Sequence, residues 1–139
     1  MKTYCGEIVV RTRGEGDVVD ITRRVEEEVE RSQIVNGVAH LYVVGSTAAL
    51  TTMEFEPGLV HDVRASLDRL VPRDAYYKHH ERWGDDNGHS HVRASLIGPS
   101  LCVPVRGGGI ETGTWQQIVL MELDTRARER RVIVTVMGD

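Results

Sequence analysis

NGHSHVRASLIGPSLCVPVRGGGIETGTWQQIVLMELD, residues 87–124, runs from a histidine-rich segment through helix-like sequence into two apolar stretches separated by a triple glycine. A short helix is expected over about His91–Ile97, a strand over Leu101–Val105 and another over Thr114–Leu123. Gly107-Gly108-Gly109 gives the backbone access to positive φ and removes side chains that would block a close approach. Gly113-Thr114-Trp115-Gln116 then presents a hydroxyl, a flat ring and an amide where the last of these strands begins. That set suits a small polar ligand, and suits equally a tight connection whose tryptophan anchors the core.

Working outward, Thr3–Thr12 reads as a strand, and Gly14–Asp17 as a turn. Asp20 is placed to cap a helix through Arg31, with Ile21, Val25 and Val29 on its apolar face and Glu26–Glu28 on solvated ones. Val38–Val44 is apolar on both alternations, which predicts a central strand covered on two sides, with His40 a core histidine. Ala48–Phe55 continues the sheet. Pro57 opens a helix whose stripe is Val60, Val63, Leu67 and Leu70, and Pro72 marks its end. Arg73–Gly88 lacks a period, and a final strand covers Arg131–Met137 after a charged turn. Strands and helices in this order predict a single α+β domain over residues 1–139: a largely antiparallel sheet, two main helices packed on one face, and one short helix.

The 139 residues are 40% hydrophobic, enough for one core, and the formal charge of −4 provides no field for nucleic acid or anionic lipid. No apolar run is long enough to span a bilayer and none follows basic residues near Met1, so a cytoplasmic protein is expected. Cys5 and Cys102 lie in strand-like sequence and read as buried small hydrophobes.

Four of the six histidines fall between His79 and His91. His79, His89 and His91, with Glu54 or an aspartate nearby, are the ligand types that a divalent cation such as Zn²⁺ takes; exposed loop histidines are the alternative. Ser46 and Thr47 follow a strand, where hydroxyls and free amides can hold an anion or simply turn the chain. The arginines at 126, 128, 130 and 131 can fork onto phosphate, or pair with neighbours in solvent.

Taken together, these residues resemble the YjbQ-like family, whose members are called secondary thiamine-phosphate synthase enzymes. The resemblance spans nearly the whole chain. It lies in Ser46-Thr47-Ala48-Ala49 with Glu54, in Asp62 and in Leu70-Val71-Pro72. It continues through Tyr77-x-His79, Asn87, His91 and Gly98-x-Ser100, and is most specific at Gly108 with Gly113-Thr114-Trp115-Gln116; Arg128 and Arg130 or Arg131 also fit. It implies a small α+β fold assembled as a homotrimer. It also implies Glu54, His79 and His91 as catalytic residues, and Ser46, Thr47, Asn87, Gly113, Thr114, Trp115, Gln116 and Arg128 as substrate-binding residues.

The implied reaction joins hydroxymethylpyrimidine diphosphate to a thiazole phosphate and releases pyrophosphate. Trp115 would stack the pyrimidine, Gln116 read its edge, and Arg93 or the 126–131 arginines meet the diphosphate, with Zn²⁺ or Mg²⁺ as the possible cofactor. The alternatives are a metal-assisted reaction on another small phosphorylated or carbonyl substrate, and a trimeric ligand-binding protein without turnover. Most relatives carry a histidine before the hydroxyl pair, where this chain has Gly45, while His89 stands where archaeal-looking relatives usually carry Asp. The expectation is that His89 supplies the missing imidazole, and that Trp115 and His91 line one hollow.

Overall fold

A computed structural model describes every residue, Met1–Asp139. In chain order the elements are β1 (Lys2–Arg11), β2 (Val18–Asp20), α1 (Thr22–Ser32), β3 (Gly37–Val44), β4 (Ala48–Met53) and α2 (Pro57–Leu70). They continue as α3 (Lys78–Trp83), α4 (Gly88–Ile97), β5 (Ser100–Arg106), β6 (Gly109–Ile110), β7 (Gln117–Glu122) and β8 (Glu129–Gly138). The strands form a five-stranded sheet ordered β1-β8-β3-β5-β6 and a three-stranded sheet ordered β2-β7-β4. Every pairing is antiparallel, as the α+β reading requires.

Alternation decides which face is covered. On β3, Ala39, Leu41 and Val43 point inward, and on β8, Val132, Val134 and Val136 do the same. They meet Val25 and Val29 of α1 together with Leu50, Ile118 and Leu120 of the smaller sheet. The small sheet's other face, with Ala49, Val119 and Met121, packs on Val60, Val63 and Leu67 of α2 and on Ala94 of α4. Strand β7 is therefore covered on both sides, and Ile118–Glu122 is buried throughout. Fully burying side chains of this kind contributes roughly 1.5–3 kcal/mol each relative to exposure.

Helix starts follow the sequence chemistry. The Asp20 carboxylate accepts from the Thr22 N–H at 2.9 Å and from its hydroxyl at 2.6 Å, just ahead of α1. Pro57 occupies the first turn of α2, where Glu56 caps the Gly58 and Leu59 N–H groups.

Four expectations are corrected. Strand β3 is covered on one side only: Val38, Tyr42 and Val44 are exposed and His40 is half-buried on the outer face of the large sheet. Cys5 and Cys102 lie on that same face and are exposed, because both fall on the outward alternation. Glu28 leaves the solvated face of α1 and is buried, accepting from the Tyr4 hydroxyl at 2.5 Å and from Arg31 at 3.0 Å. The segment 73–88 contains α3, a single short helix ended by Gly84.

Candidate functional site

The end of β7 carries two carboxylates into the interior, and a buried carboxylate must find cations or donors. Glu122 is bound by Arg130, with Nε to Oε1 at 2.9 Å and Nη2 to Oε2 at 2.5 Å, and the Thr12 hydroxyl donates to it at 2.7 Å. Asp124 Oδ2 receives Arg128 through Nη2 at 2.6 Å and Nε at 3.0 Å, and the Thr47 hydroxyl at 3.2 Å. Its Oδ1 accepts the Thr125 N–H at 2.8 Å and the Asn87 amide at 3.4 Å. Burial pushes the Asp124 carboxyl up, but the Thr125 N–H, Arg128 and Asn87 together outweigh it and hold the group down at about 2. It is a fixed anion at neutral pH.

Around that anion stand the two family-matched histidines. The rings of His79, on α3, and His91, on α4, have centroids 4.5 Å apart and are tilted by 37°. Burial lowers the pKa of His91, and the nearby His79 lowers it further, against a smaller opposing effect from Asp124 and Asp85. Its neutral form is favoured, with one ring N–H to donate and one nitrogen to accept. His79 Nδ1 is buried without a hydrogen-bond partner, and Asp85 Oδ1 lies 3.5 Å away. Helix α4 begins here: the Asn87 side chain does not cap it, and Asn87 Oδ1 and Ser90 Oγ are also buried and unpartnered. Gly88 permits the approach, since a Cβ there would lie 2.6 Å from the Tyr77 Cβ and 3.4 Å from that of His79.

Asp124 thus joins Thr47, Asn87 and Arg128, and its charge reaches His91, whose ring lies beside that of His79. His89 does not join them. It is 1% exposed, and its Nε2 pairs with Glu15, which also binds Arg73 at 3.0 Å. Two helical steps rotate it about 200° from His91, so residues 89 and 91 of an α-helix diverge. The His79–His89–His91 ligand set is therefore not assembled, and no group of three His, Cys, Asp or Glu side chains is gathered to hold a metal. His89 does not replace an imidazole at Gly45. Arg93 is likewise committed, donating to the Val71 carbonyl at 2.8 Å and to Asp68 at 3.2 Å.

Glu54, Thr114 and Trp115 line a separate hollow of about 410 Å³ with Asp20, Phe55 and Gln117. Trp115 is 75% exposed there, so it is not a core anchor. The β4–β7 register sets Ala48 opposite Glu122 and Met53 opposite Gln117, so Thr47 and Asp124 lie at one end of the pair and Glu54 at the other. At roughly 3.3 Å per residue the ends are about 17 Å apart. Within one chain Trp115 and His91 do not share a hollow. Gln116 is engaged locally, accepting from the Gly113 N–H at 3.0 Å and donating to Thr52 at 3.2 Å. Another hollow, of about 170 Å³ beside Glu15, Arg64 and Arg93, is lined by charges already paired to neighbouring side chains or to backbone.

The two carboxylates, Glu122 and Asp124, are the site residues that the sequence reading does not reach. The signal was present in Glu122-Leu123-Asp124, two carboxylates at the end of an apolar run.

The family model described as "UPF0047 protein YjbQ-like" matches residues 6–139. A UPF0047 protein of Methanothermobacter thermautotrophicus is 40% identical, covering 99% of this chain and 94% of its own length. The UPF0047 protein YjbQ of Escherichia coli O157:H7 is 38% identical over 74% of this chain and 75% of its own. Among solved structures, a YbjQ-like protein of unknown function from Sulfolobus solfataricus P2 superposes with a TM-score of 0.92 at 38% identity, covering 99% of each chain. A hypothetical protein from Aeropyrum pernix K1 gives 0.87 at 35% identity over the whole of both chains. With the sequence match and the fold agreeing over essentially its full length, the chain belongs to the UPF0047, YjbQ-like family.

Proposed function

We propose that this chain is an enzyme acting on a small phosphorylated molecule, with His79 and His91 as its working imidazoles. The specific reaction we propose is the one that the resemblance to secondary thiamine-phosphate synthases implies. In it the C–O bond of hydroxymethylpyrimidine diphosphate breaks, a C–N bond to the thiazole forms, and pyrophosphate leaves with the electron pair. The observation that carries the reading is the imidazole pair, 4.5 Å between centroids, set beside the uncapped start of α4. Imidazole N–H groups and the first amides of a helix are donors suited to charge gathering on a departing phosphate. Arg128 is held at the same place by Asp124. Two imidazoles beside Asp85 do not close a coordination shell, so no step is assigned to a metal.

The second half of the site is the Glu54–Trp115 hollow, whose exposed ring suits a flat heterocycle. Its distance from the imidazoles calls for a neighbouring copy, and we place it there within a homotrimer. The uncovered face of the large sheet, with Val9, Val38, Tyr42, Val44 and Met137 exposed, supports association. The test is formation of thiamine phosphate from the two substrates by purified protein. His79→Ala and His91→Ala are each expected to lower turnover about 10²–10⁴-fold. Rescue of a thiamine-requiring strain by the wild type and both variants alike would exclude the assignment.

A further inference from the structure

Arg130 is almost wholly interior, its side chain 7% exposed, yet only part of its guanidinium is used by the fold. Nε and Nη2 bind Glu122, and Nη2 also reaches the Thr47 carbonyl at 3.1 Å and hydroxyl at 2.8 Å. Nη1 donates to nothing in the chain. It lies against Gly45, where a Cβ would be 2.8 Å from it. Gly45 has φ of +136°, a backbone conformation in which an L side chain is strained, and a Cβ there would press on the Arg130 guanidinium. The following Ser46 is exposed, and the N–H groups of Gly45, Ser46 and Thr47 make no hydrogen bond within the chain. A fixed guanidinium N–H thus stands at a strand break with three free amides.

We infer that this break is an oxyanion subsite, in which Arg130 Nη1 and the 45–47 amides take one phosphate group of the substrate. It rests on the phosphorylated-substrate reading above and adds Arg130 and Gly45 to it. The subsite is connected to Asp124 through Thr47, which accepts from Arg130 and donates to Asp124. Glu122 already neutralises the Arg130 charge, so recognition here works by donor direction rather than by net field. Weak dependence on sodium chloride is expected in consequence. The absence of a side chain at Gly45 opens the position to the ligand.

Inorganic phosphate is the probe. Titrated into the ¹⁵N-labelled wild-type protein, it should shift the amides of Gly45, Ser46 and Thr47 saturably, together with the Arg130 guanidinium resonances. Gly45→Ala and Arg130→Lys should each weaken that response about tenfold or more, with dispersed spectra confirming that each variant is folded. His79→Ala should leave it unchanged while lowering turnover about 10²–10⁴-fold. No shift at residues 45–47, a shift confined to Gly88 and His89, or an equal response to acetate would overturn the subsite. Turnover that survives Gly45→Ala with phosphate binding lost would overturn the subsite and leave the enzymatic reading standing. Phosphate binding at 45–47 in a protein that turns over no phosphorylated substrate would do the reverse.

Discussion

Arg130 and Glu122 form an ion pair in the interior between the two sheets, with side chains 7% and 0% exposed. Removing one partner leaves the other charged and buried, a loss of about 3–5 kcal/mol. Arg130→Ala is expected to show it as a lower urea midpoint. Replacing both residues, as Arg130→Met with Glu122→Leu, should recover most of that stability. A double variant as unstable as the single one would mean that the pair contributes more than mutual neutralisation.

Asp124 makes the protein sensitive to acid. Its folded value of about 2 lies below the ordinary 3.8, so its stabilisation is complete above 3.8 and is lost as pH falls through about 2. The gap corresponds to about 2 kcal/mol. Asp124→Asn should flatten the stability profile between those values, read by thermal denaturation across pH. An unchanged slope would assign acid sensitivity to other carboxylates.

His89 is a structural residue: its ring ties α4 to the Gly14–Asp17 turn through Glu15, which continues to Arg73. His89→Ala is expected to cost roughly 1–3 kcal/mol by leaving buried polar atoms unmatched, with no change in bound metal by elemental analysis. Metal lost in proportion to the substitution would return His89 to a ligand role.

The proposal that the site is shared between copies makes a sharp prediction about mixtures. Glu54→Ala and His91→Ala are each expected to be inactive alone. Refolded together at equal amounts, random partners restore an intact interface in about a quarter of sites, so activity should reappear. Mixtures that stay inactive would confine the chemistry to one chain.

The strongly patterned elements were legible. Alternation in β1 and β8 and the Pro57 start of α2 each follow from local chemistry that the tertiary structure leaves in force. The expected Asp20 cap shifts: Ile21 is the N-cap of α1, and Asp20, ending β2, bonds Thr22 from one residue earlier. Strands β2 and β6 have only three and two residues, and exist because β7 and β5 offer them edges, which no local pattern records. His79, Asn87 and His91 stood out through their residue types in an aperiodic segment. The carboxylates of Glu122 and Asp124 did not, since Ile118–Leu123 reads first as apolar strand. Their partners Arg128 and Arg130 were legible as anion binders, but not which anions they meet: the fold buries Arg130 on Glu122 and leaves Arg128 half-buried on Asp124.

The outer face of the large sheet carries one further consequence. Register aligns Cys5, Thr135, His40 and Cys102 in a single row across four strands. Both thiols in that row are open in the lone chain. Alkylation at these two positions therefore serves as a built-in gauge: rapid when the subunit is dispersed, slow wherever another surface lies over the row.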